Sequence, residues 1–417
     1  MMNNKQFLTQ LFNHAVTASL PSVCLPPFLN TLNVSGKVCV IGAGKASVEM
    51  AQAVVKHFGA RCFGAVVTRH GYTSVTHIGN IEILRGGHPL PDEHSAISAS
   101  KILTLAKNID SDIPVVFLIS GGGSALLSLP ITGVSLEDKI AVNQFLLGCG
   151  ASIDEINTVR THLSAIKGGK LAQAIKGTSH TFIISDVVGD DPHIIASGPT
   201  VSCNSNSRDA LAILEKYQWT PNTAIINALR HNTEHKIKLR GDENKLSIVS
   251  NAKQALDYAT NTIDATQYNI VLIDYELTGD AHLVAQEHAK LAIAAKSQQK
   301  PTLLVSGGEL TVTLNRKDIG DGGPNQHYLL SLADALNGET GICALACDTD
   351  GIDGSVDVAG AFIDETTLLR AKNAGLDVKN ALARCNSYRV FKTLDDLIVT
   401  GPTHTNVNDF RVIMVTP

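Results

Sequence analysis

Glycine-rich turns that directly follow apolar segments are the first places where this sequence could perform chemistry. One such turn places Gly42, Gly44, Lys45 and Ser47 after the apolar run 38–41. Glycine lets the backbone approach a ligand, and the free amides at the start of a following helix attract phosphate or carboxylate groups. The spacing is not that of a P-loop, and the third glycine of the dinucleotide fingerprint is missing. We therefore expect an anion site with Lys45 as a mobile cation; the alternative is a tight turn with a surface lysine.

A second turn carries three consecutive glycines, Gly121, Gly122 and Gly123, followed by Ser124. Consecutive glycines cost backbone entropy, so a purely structural turn rarely needs three of them. Their amides could form a nest for a phosphate or an oxyanion. Ser124 would then either hydrogen-bond the ligand or cap the following helix.

A third turn, with Gly307 and Gly308 after the apolar run 302–305, repeats this pattern more weakly. A hairpin turn explains it equally well. We include the two glycines among the candidate phosphate-binding residues and keep the hairpin as the alternative.

Carboxylates cluster in the segment that follows the apolar run 181–184. Asp186, Asp190 and Asp191 lie within six residues, and such groups repel one another unless they are solvated, protonated or bound to a cation. A kinase needs a carboxylate to orient or deprotonate the attacking hydroxyl, and Mg²⁺ on the phosphates. The segment could supply either function, and a helix cap in a solvated turn is the alternative.

A second acidic segment contains Asp348, Asp350 and Asp353 after another apolar run. It lacks the twelve-residue spacing and the terminal Glu of an EF-hand. Contact with Mg²⁺ or with substrate is one interpretation, and an ordinary Asp-Gly turn is the other.

Arg160, which precedes a Gly-Gly pair, suits bidentate binding of a carboxylate, or is a charge on a helix surface.

These turns must be positioned by elements that alternate along the chain. Apolar runs of strand length and segments with helical periodicity follow one another, which predicts an α/β protein with a parallel sheet covered by helices on both faces. The predicted strands are 37–41, 64–68, 113–119, 181–185, 246–249, 269–273, 302–305, 342–346, 397–400 and 411–415. The predicted helices are 46–58, 95–106, 136–147, 153–174 with a break near 168–169, 210–217, 281–296 and 326–336. The charged segment 231–245 predicts a transition between domains.

Composition excludes several classes of protein. The 417 residues carry 34 Lys and Arg against 39 Asp and Glu, so the net charge of −5 disfavours a nucleic-acid partner. Eight Cys in 417 residues are too sparse for a disulfide scaffold, and the absence of a CxxC pair disfavours structural zinc. Both observations predict a reducing, cytoplasmic environment. No apolar run approaches the roughly 20 residues of a membrane span. We expect a small-molecule substrate, no nucleic acid and no membrane, and we leave a homodimer open.

In their order and number, these motifs resemble the glycerate 2-kinase family, whose C-terminal part is called the MOFRL domain. The resemblance covers nearly the whole chain. The matching stretches are 42–46, 86–92, 120–126, 157–171, 185–199, 306–309, 350–354 and 401–403.

The resemblance implies a two-domain enzyme that uses ATP and a divalent cation, Mg²⁺, to convert D-glycerate to 2-phosphoglycerate. It implies a Rossmann-like α/β domain over residues 1–235, a second α/β domain, the MOFRL domain, over residues 236–417, and a site in the cleft between them. Lys45 and Asp190 would act directly, with Asp186 as a weaker candidate for the base. The remaining roles that we assign on this basis are phosphate or nucleotide binding by Gly42, Gly44, Ser47, Gly121, Gly122, Gly123, Ser124, Gly307 and Gly308, substrate binding by Arg160 and Asn325, and Mg²⁺ binding by Asp350 and Asp353.

The chain departs from the family pattern in two places. Where the family commonly has G-R-G-G-R-N-Q-E, this sequence has Asp321 and Pro324 for the two Arg and His327 for the Glu. Losing two cations and gaining a carboxylate should weaken anion binding there. His404 replaces a Gly, and its Cβ could crowd a ligand loop. Two alternative functions stay open. One is an NAD(P)H-dependent hydroxypyruvate reductase, a label often attached to members of this family, and the other, which the altered 320–327 stretch motivates, is a paralogue with another hydroxy-acid substrate or without kinase activity.

Overall fold

The computed structural model describes residues 3–219, 223–231, 239, 243–313 and 320–417, and the chain forms two compact units. The first unit spans residues 21–249, and the second combines residues up to 20 with residues from 250 onward. The first helix, α1 (Asn4–Ser19), packs against the second unit, although the sequence placed it in the first domain. The predicted boundary between residues 235 and 236 lies outside the described residues.

Within the described residues, the first unit is built on a seven-stranded sheet in the order β3-β4-β2-β1-β5-β6-β7. Its strands are β1 (Val38–Ala43), β2 (Cys62–Arg69), β3 (His77–Ile78), β4 (Asn80–Gly86), β5 (Val115–Ile119), β6 (Ser179–Ile184) and β7 (Asn244–Ser250). Neighbours from β4 to β6 pair in parallel, and the short β3 is antiparallel to β4. The predicted α/β class is confirmed.

Helices surround this sheet, as the alternating pattern predicts. They are α2 (Pro21–Cys24), α3 (Pro26–Leu29), α4 (Ser47–Phe58), α5 (Glu93–Asn108), α6 (Gly123–Leu126), α7 (Leu136–Gly148), α8 (Ile153–His162), α9 (Lys170–Gln173), α10 (Ser207–Lys216) and α11 (Thr223–His231). The predicted break in the long helical segment is confirmed, because Gly168 and Gly169 adopt φ values of +60° and +83° between α8 and α9. That left-handed backbone favours glycine.

Two features of the first unit differ from the sequence prediction. The strand β7, assigned to the second domain, forms an edge of the first sheet. The strand β4 was not predicted, since its segment Asn80–Gly86 mixes apolar and charged residues. It pairs with β2 over seven residues and carries the chain into the 86–92 segment.

The second unit contains a mixed sheet rather than a parallel one. Its order in the described residues is β14-β13-β12-β15-β10-β8, with a separate pair β11-β9. The strands are β8 (Asn269–Asp274), β9 (Thr278–Asp280), β10 (Thr302–Ser306), β11 (Glu309–Thr311), β12 (Ile342–Asp348), β13 (Gly360–Ile363), β14 (Leu397–Ile398) and β15 (Asp409–Val415). The last strand, β15, runs antiparallel between β10 and β12.

The second unit also contains α12 (Ala252–Asn261), α13 (Ala281–Ala295), α14 (Pro324–Leu336), α15 (Thr367–Asn373), α16 (Val378–Ala383) and α17 (Ser387–Leu394). Helix α14 is central, because most of its side chains are buried in the unit's apolar core. None of the helices in the described residues combines the length and apolar character needed to cross a bilayer.

Candidate active site

The loops that follow β1 and β5 are hydrogen-bonded to each other at the carboxyl ends of these strands. These strands are parallel neighbours, so their carboxyl ends lie side by side. The amide of Lys45 donates to the carbonyl of Gly121 at 2.8 Å, and the amide of Ala46 donates to Ser120 Oγ at 3.0 Å. Gly44 has a φ of +137°, and a Cβ there would clash with the Ser120 hydroxyl. Glycine at this position is what allows the two loops to pack so closely.

Three reactive side chains surround the Gly121–Gly122 peptide. A Cβ on Gly121 would clash with the carboxylate of Asp186, which follows the neighbouring strand β6. A Cβ on Gly122 would lie 3.0 Å from His88 Nε2 and 3.5 Å from Lys45 Cγ. The structure therefore brings together Lys45, Asp186 and the glycine turn, as the sequence predicts for the ends of neighbouring strands.

A cavity of about 140 Å³ opens beside this turn. Three cationic side chains line it, Lys139 from α7, Arg160 from α8 and Lys167 from the α8–α9 connection. The other lining residues are His88, Pro89, Leu90, Pro91, Gly122, Ser124, Ala125, Ser128, Ile140 and Asn143. No acidic residue of the described part of the chain lines this space, which we call the cation cavity.

Neutral oxygens hold the three cations in place. Lys167 Nζ donates to the carbonyls of Ser124 at 2.9 Å and Ala196 at 3.1 Å. Lys139 Nζ donates to Ser128 Oγ at 3.1 Å, and Arg160 Nε donates to Asn143 Oδ1 at 2.5 Å. In the described residues, none of the three has a salt bridge to a carboxylate.

Burial of these cations changes their protonation. Desolvation, with the positive charges of Arg160 and Lys170, lowers the pKa of Lys139 to about 7. Desolvation and the charges of Lys139 and Arg160 hold the pKa of Lys167 well below its usual value. Burial also lowers the pKa of Arg160. A bound anion would favour the charged form of every one of these groups.

Strained backbone lies next to Ser124, one of the residues that line the cavity. Ala196 and Ser197 adopt φ values of +53° and +57°, which non-glycine residues rarely do. Ser197 Oγ lies 2.8 Å from Ser124 Oγ and donates to Asn157 Oδ1 at 3.2 Å. Ser124 is not a helix cap, since the N-cap of α6 is Gly122. Such strain concentrates at functional sites.

Two of the predicted phosphate-binding residues, Gly42 and Ser47, make structural contacts in the protein interior. Gly42 lies inside β1, where a Cβ would come within 2.9 Å of Leu118 O and Val66 Cγ1. Ser47 is fully buried, and its hydroxyl donates to the carbonyl of Val67 at 2.9 Å. Their roles in nucleotide binding stay predictions.

Asp190 lies four residues beyond Asp186, in the connection after β6. It is half-buried, has a φ of +52°, and its amide donates to the carbonyl of Val187 at 3.1 Å. The next carboxylate, Asp191, accepts from the amide and the ring of His193 at 2.9 and 2.8 Å. Asp190 and Asp191 are therefore neighbours in sequence with different surroundings.

The remaining predicted residues lie in the second unit. Gly307 and Gly308 pack against the backbone of residues 275–277, where a Cβ on either would clash. Asn325 and Asp353 meet at the start of α14: Asp353 accepts from the amides of Asn325 and Gln326 at 3.0 and 2.9 Å. Burial raises the pKa of Asp353 to about 6, although these hydrogen bonds lower it.

The hydrogen bonds from the amides of Asn325 and Gln326 give Asp353 a structural role at the N-terminus of α14. Asp350 is half-buried, and its Oδ1 accepts from the amide of Ile352 at 2.9 Å. The assignment of Mg²⁺ to these two residues stays a prediction, as do the ligand roles of Gly307, Gly308 and Asn325.

The sequence departures fit their local backbone. Pro324 is the first residue of α14, where the missing N–H is no loss. His327 is buried, and desolvation lowers its pKa. His404 has a φ of +68°, so it occupies a left-handed conformation at the position where the family usually has glycine.

Sequence reasoning missed His88, Lys139 and Lys167 as site residues. The segment 86–92, which contains His88, had a signal, since its Gly-Gly-His-Pro sequence was among the family-like stretches. Lys167 precedes the Gly168–Gly169 pair noted beside Arg160. Lys139 had no signal, because an acidic and basic helix face is typical of a solvated surface.

Known proteins resemble this chain over most of its length. A family model described as a domain of unknown function, DUF4147, matches residues 7–230, and the MOFRL family model matches residues 302–409. A protein of Agrobacterium vitis named "Putative hydroxypyruvate reductase" is 43% identical over 99% of this chain and 94% of its own. A glycerate 2-kinase of Pyrococcus horikoshii is 38% identical, over 92% of this chain and 88% of its own.

A solved structure agrees with these relatives. The crystal structure of a glycerate kinase from Thermotoga maritima superposes with a TM-score of 0.91 at 34% identity, covering 99% of both chains. The two family models, the curated relatives and this structure all match the chain that carries the glycine turns and the cation cavity. The chain belongs to the glycerate 2-kinase family with a C-terminal MOFRL domain.

Proposed function

We propose that this protein transfers the γ-phosphoryl group of ATP to the 2-hydroxyl of D-glycerate. The observation that carries the proposal is the cation cavity, which contains the buried Lys139 and Lys167 and the half-buried Arg160. None of the three has a carboxylate partner in the described residues, and they lie beside a glycine turn that Lys45 and Asp186 adjoin. A small hydroxy acid supplies the missing negative charge through its carboxylate, and a hydroxyl for phosphoryl transfer. The names of the glycerate kinase relatives support this choice of substrate.

The carboxylate of glycerate binds in the cation cavity. Arg160 is held at Nε by Asn143, which leaves its other nitrogens to pair with a carboxylate. Lys139 gains its full charge when the anion enters, because an opposite charge nearby favours the protonated form. Lys167 instead supports the site, since it ties Ser124 to Ala196 and so fixes the wall of the cavity.

The glycine turn and Lys45 serve the phosphoryl group. The amides of Gly121 and Gly122 supply hydrogen-bond donors, whereas the amide of Gly123 donates to the carbonyl of Ser120 at 3.4 Å. Phosphoryl transfer relies mainly on such positioning and on electrostatic stabilisation. Lys45 adds a positive charge for the oxygens of the transferred group. The hydrogen bond between its amide and the Gly121 carbonyl keeps the lysine beside the turn.

A carboxylate after β6 orients or deprotonates the glycerate hydroxyl. We assign this role to Asp190. Asp186 lies against Gly121 and holds the turn in shape.

Mg²⁺ completes the proposed reaction, and half-buried carboxylates of the kind it prefers are present. Asp186 in the first unit and Asp350 in the second each fit, considered separately, as an oxygen donor. Asp353 fits less well, because the start of α14 already engages both of its oxygens. When bound, the ion would neutralise charge on the phosphates of ATP.

The test is a ³¹P NMR spectrum of the purified protein with ATP, Mg²⁺ and D-glycerate. A 2-phosphoglycerate resonance is expected. Its absence at high enzyme concentration would overturn the proposal, and 3-phosphoglycerate in its place would show transfer to the other hydroxyl. A parallel assay of hydroxypyruvate with NADH tests the reductase alternative, for which the turn after β1 offers no complete dinucleotide fingerprint.

Two variants test the residues. Lys45→Ala and Asp190→Asn should each lower kcat by about a hundredfold or more, the usual size for an electrostatic group or a general base. Asp191→Asn is the matched control, since this adjacent carboxylate pairs with His193 instead. Full turnover by Asp190→Asn would remove its assignment as the base.

A further inference from the structure

A cluster of metal-ligand type lies on the first unit, apart from the glycine turns. It consists of His70 after β2, Asp92 before α5 and His94 in the first turn of α5. Each offers one ligand atom, and these atoms all lie within 4.8 Å of one another. In the described part of the chain this is the one group of three such residues so close together. Nothing in the proposed phosphoryl transfer uses it.

The two oxygens of Asp92 have separate partners. Oδ1 accepts from the amides of Gly87 and Ser95, both at 2.9 Å. Oδ2 lies 2.6 Å from His70 Nε2 and 4.0 Å from His94 Nδ1. These hydrogen bonds hold Asp92 in a fixed orientation, which is how neighbouring groups prepare a carboxylate ligand.

The donor atoms select a class of metal. Two imidazole nitrogens and one carboxylate oxygen suit Zn²⁺, Co²⁺ and their neighbours, whereas Mg²⁺ and Ca²⁺ prefer oxygen alone. Ligand atoms around tetrahedral Zn²⁺ lie roughly 3.3 Å apart, given bonds of about 2.0–2.1 Å. The 2.6 and 4.0 Å separations bracket this value, and no separation among the three ligand atoms exceeds 4.8 Å. Side-chain rotations that draw the ligand atoms together by up to about 1.5 Å would therefore close the site. The side chains of His70 and His94 are 46% and 67% exposed, which allows such rotations and leaves a position for water.

We propose that His70, Asp92 and His94 bind one divalent transition-metal ion of the Zn²⁺ or Co²⁺ class. The simpler explanation is an ordinary His–Asp pair at the surface. The chain contains such a pair for comparison, since His193 lies 2.8 Å from Asp191 with similar exposure. That pair belongs to no group of three among the described residues. The second imidazole, His94, is what distinguishes the proposed site.

The site adjoins the loop that lines the cation cavity. Asp92 Oδ1 binds the amide of Gly87, and the next four residues, 88–91, line the cavity. A metal on Oδ2 would therefore hold the residue that anchors this loop. The ion is distinct from the Mg²⁺ of phosphoryl transfer, so binding is measured directly rather than through activity.

The experiment titrates the untagged, chelator-treated full chain with Co²⁺ in excess Mg²⁺, followed by displacement with Zn²⁺. Visible absorption of bound Co²⁺ should report one site per chain. His70→Ala and His94→Ala should each weaken Co²⁺ binding at least tenfold, the lower bound for disturbing a metal shell. Asp92→Asn should weaken it as well, while it keeps an oxygen for the Gly87 and Ser95 amides. His193→Ala should bind Co²⁺ like the parent chain.

Equal Co²⁺ affinity and stoichiometry in His70→Ala, His94→Ala and the parent chain would overturn the proposal. Circular dichroism confirms that the variants are folded, which their exposure predicts. Thermal unfolding gives a second measure: Zn²⁺ should raise the Tm of the parent chain and of His193→Ala, but not of the other variants. A failure of glycerate phosphorylation would leave these readouts unaffected, so the two proposals are tested separately.

Discussion

Buried charges occur in both units, but their counter-charges differ. In the second unit Arg411 is buried against Asp409, with Nη1 to Oδ2 at 2.7 Å, and Asn325 donates to Asp409 at 2.6 Å. Burial raises the pKa of Asp409, while Arg411 and Asn325 lower it. In the first unit, Lys139 and Lys167 are buried as deeply beside neutral oxygens, with no salt bridge in the described residues.

This difference separates a structural cluster from a binding cavity. Removing a charge from water is costly, and the cost is offset by a partner of opposite charge or avoided by loss of the proton. The second unit supplies such a partner itself. The first unit lacks it, so the pKa of Lys139 is lowered, and an anion from outside is what would favour its full charge. A glycine pair alone does not distinguish a structural turn from a binding site. Gly307 and Gly308 pack closely against neighbouring backbone, whereas Gly122 lines the cation cavity.

The largest expected effect is on stability, at Arg411. Arg411→Met should lower the free energy of unfolding by about 3–5 kcal/mol, because it leaves Asp409 buried without its cation. Urea unfolding monitored by circular dichroism measures the loss. Arg160→Met is the matched variant in the first unit and should lose less than about 1 kcal/mol, because no buried carboxylate depends on it. Equal losses of stability in the two variants would contradict the proposed difference between the buried charges of the two units.

For substrate affinity, unlike stability, we expect the larger effect at Arg160 of the first unit. Arg160→Ala should raise the KM for glycerate about ten- to hundredfold, since a charge-assisted hydrogen bond contributes about 1.5–3 kcal/mol. Steady-state kinetics with ATP in excess measures it. Arg208→Ala, an exposed arginine on α10, is the control. An unchanged KM in Arg160→Ala would place the glycerate carboxylate elsewhere.

The pH dependence of stability should reveal the lowered pKa of Lys139, which lies in the cation cavity without a carboxylate partner. The pKa of Lys139 is lowered from 10.5 to about 7. Between these values the unfolded chain binds the proton and the folded chain does not, so this residue makes stability rise with pH, by at most about 1.4 kcal/mol per unit. Lys139→Met should remove that part of the slope between pH 7 and 9. Urea midpoints across this range measure it.

A bound substrate should return the proton that Lys139 loses in the folded chain. Glycerate favours charged Lys139, so binding at pH 8 should take up a proton, which calorimetry in two buffers of different ionisation heat detects. Lys139→Met, which has no proton to accept there, should show a smaller uptake. Identical proton uptake by parent and variant would show that the lysine does not meet the anion.

The sequence predicted the parts of the fold that are set locally. The turns after β1 and β5 were found because their glycines are consecutive or nearly so in the chain, and the break at Gly168–Gly169 for the same reason. The mixed second sheet was missed, because the antiparallel insertion of β15 depends on strands far apart in sequence. Lys139 was missed for the same physical reason: its environment is made by α8 and the α8–α9 connection, which periodicity on α7 does not reveal.

The smallest effect is expected where this chain departs from its family. Asp321 is exposed, and its backbone bonds to Asn386 and Tyr388 do not involve its carboxylate, so an arginine can be placed there without disturbing the fold. Asp321→Arg should raise the apparent affinity for an anionic substrate by less than about fivefold, because exposed charges interact weakly in water. The gain should disappear at high salt, since screening removes it. Glu287→Arg, at an exposed carboxylate on α13 of the same unit, is a charge-matched control. If Asp321→Arg and Glu287→Arg behave alike, the altered loop does not tune anion binding, and the cations of the first unit account for substrate affinity without it.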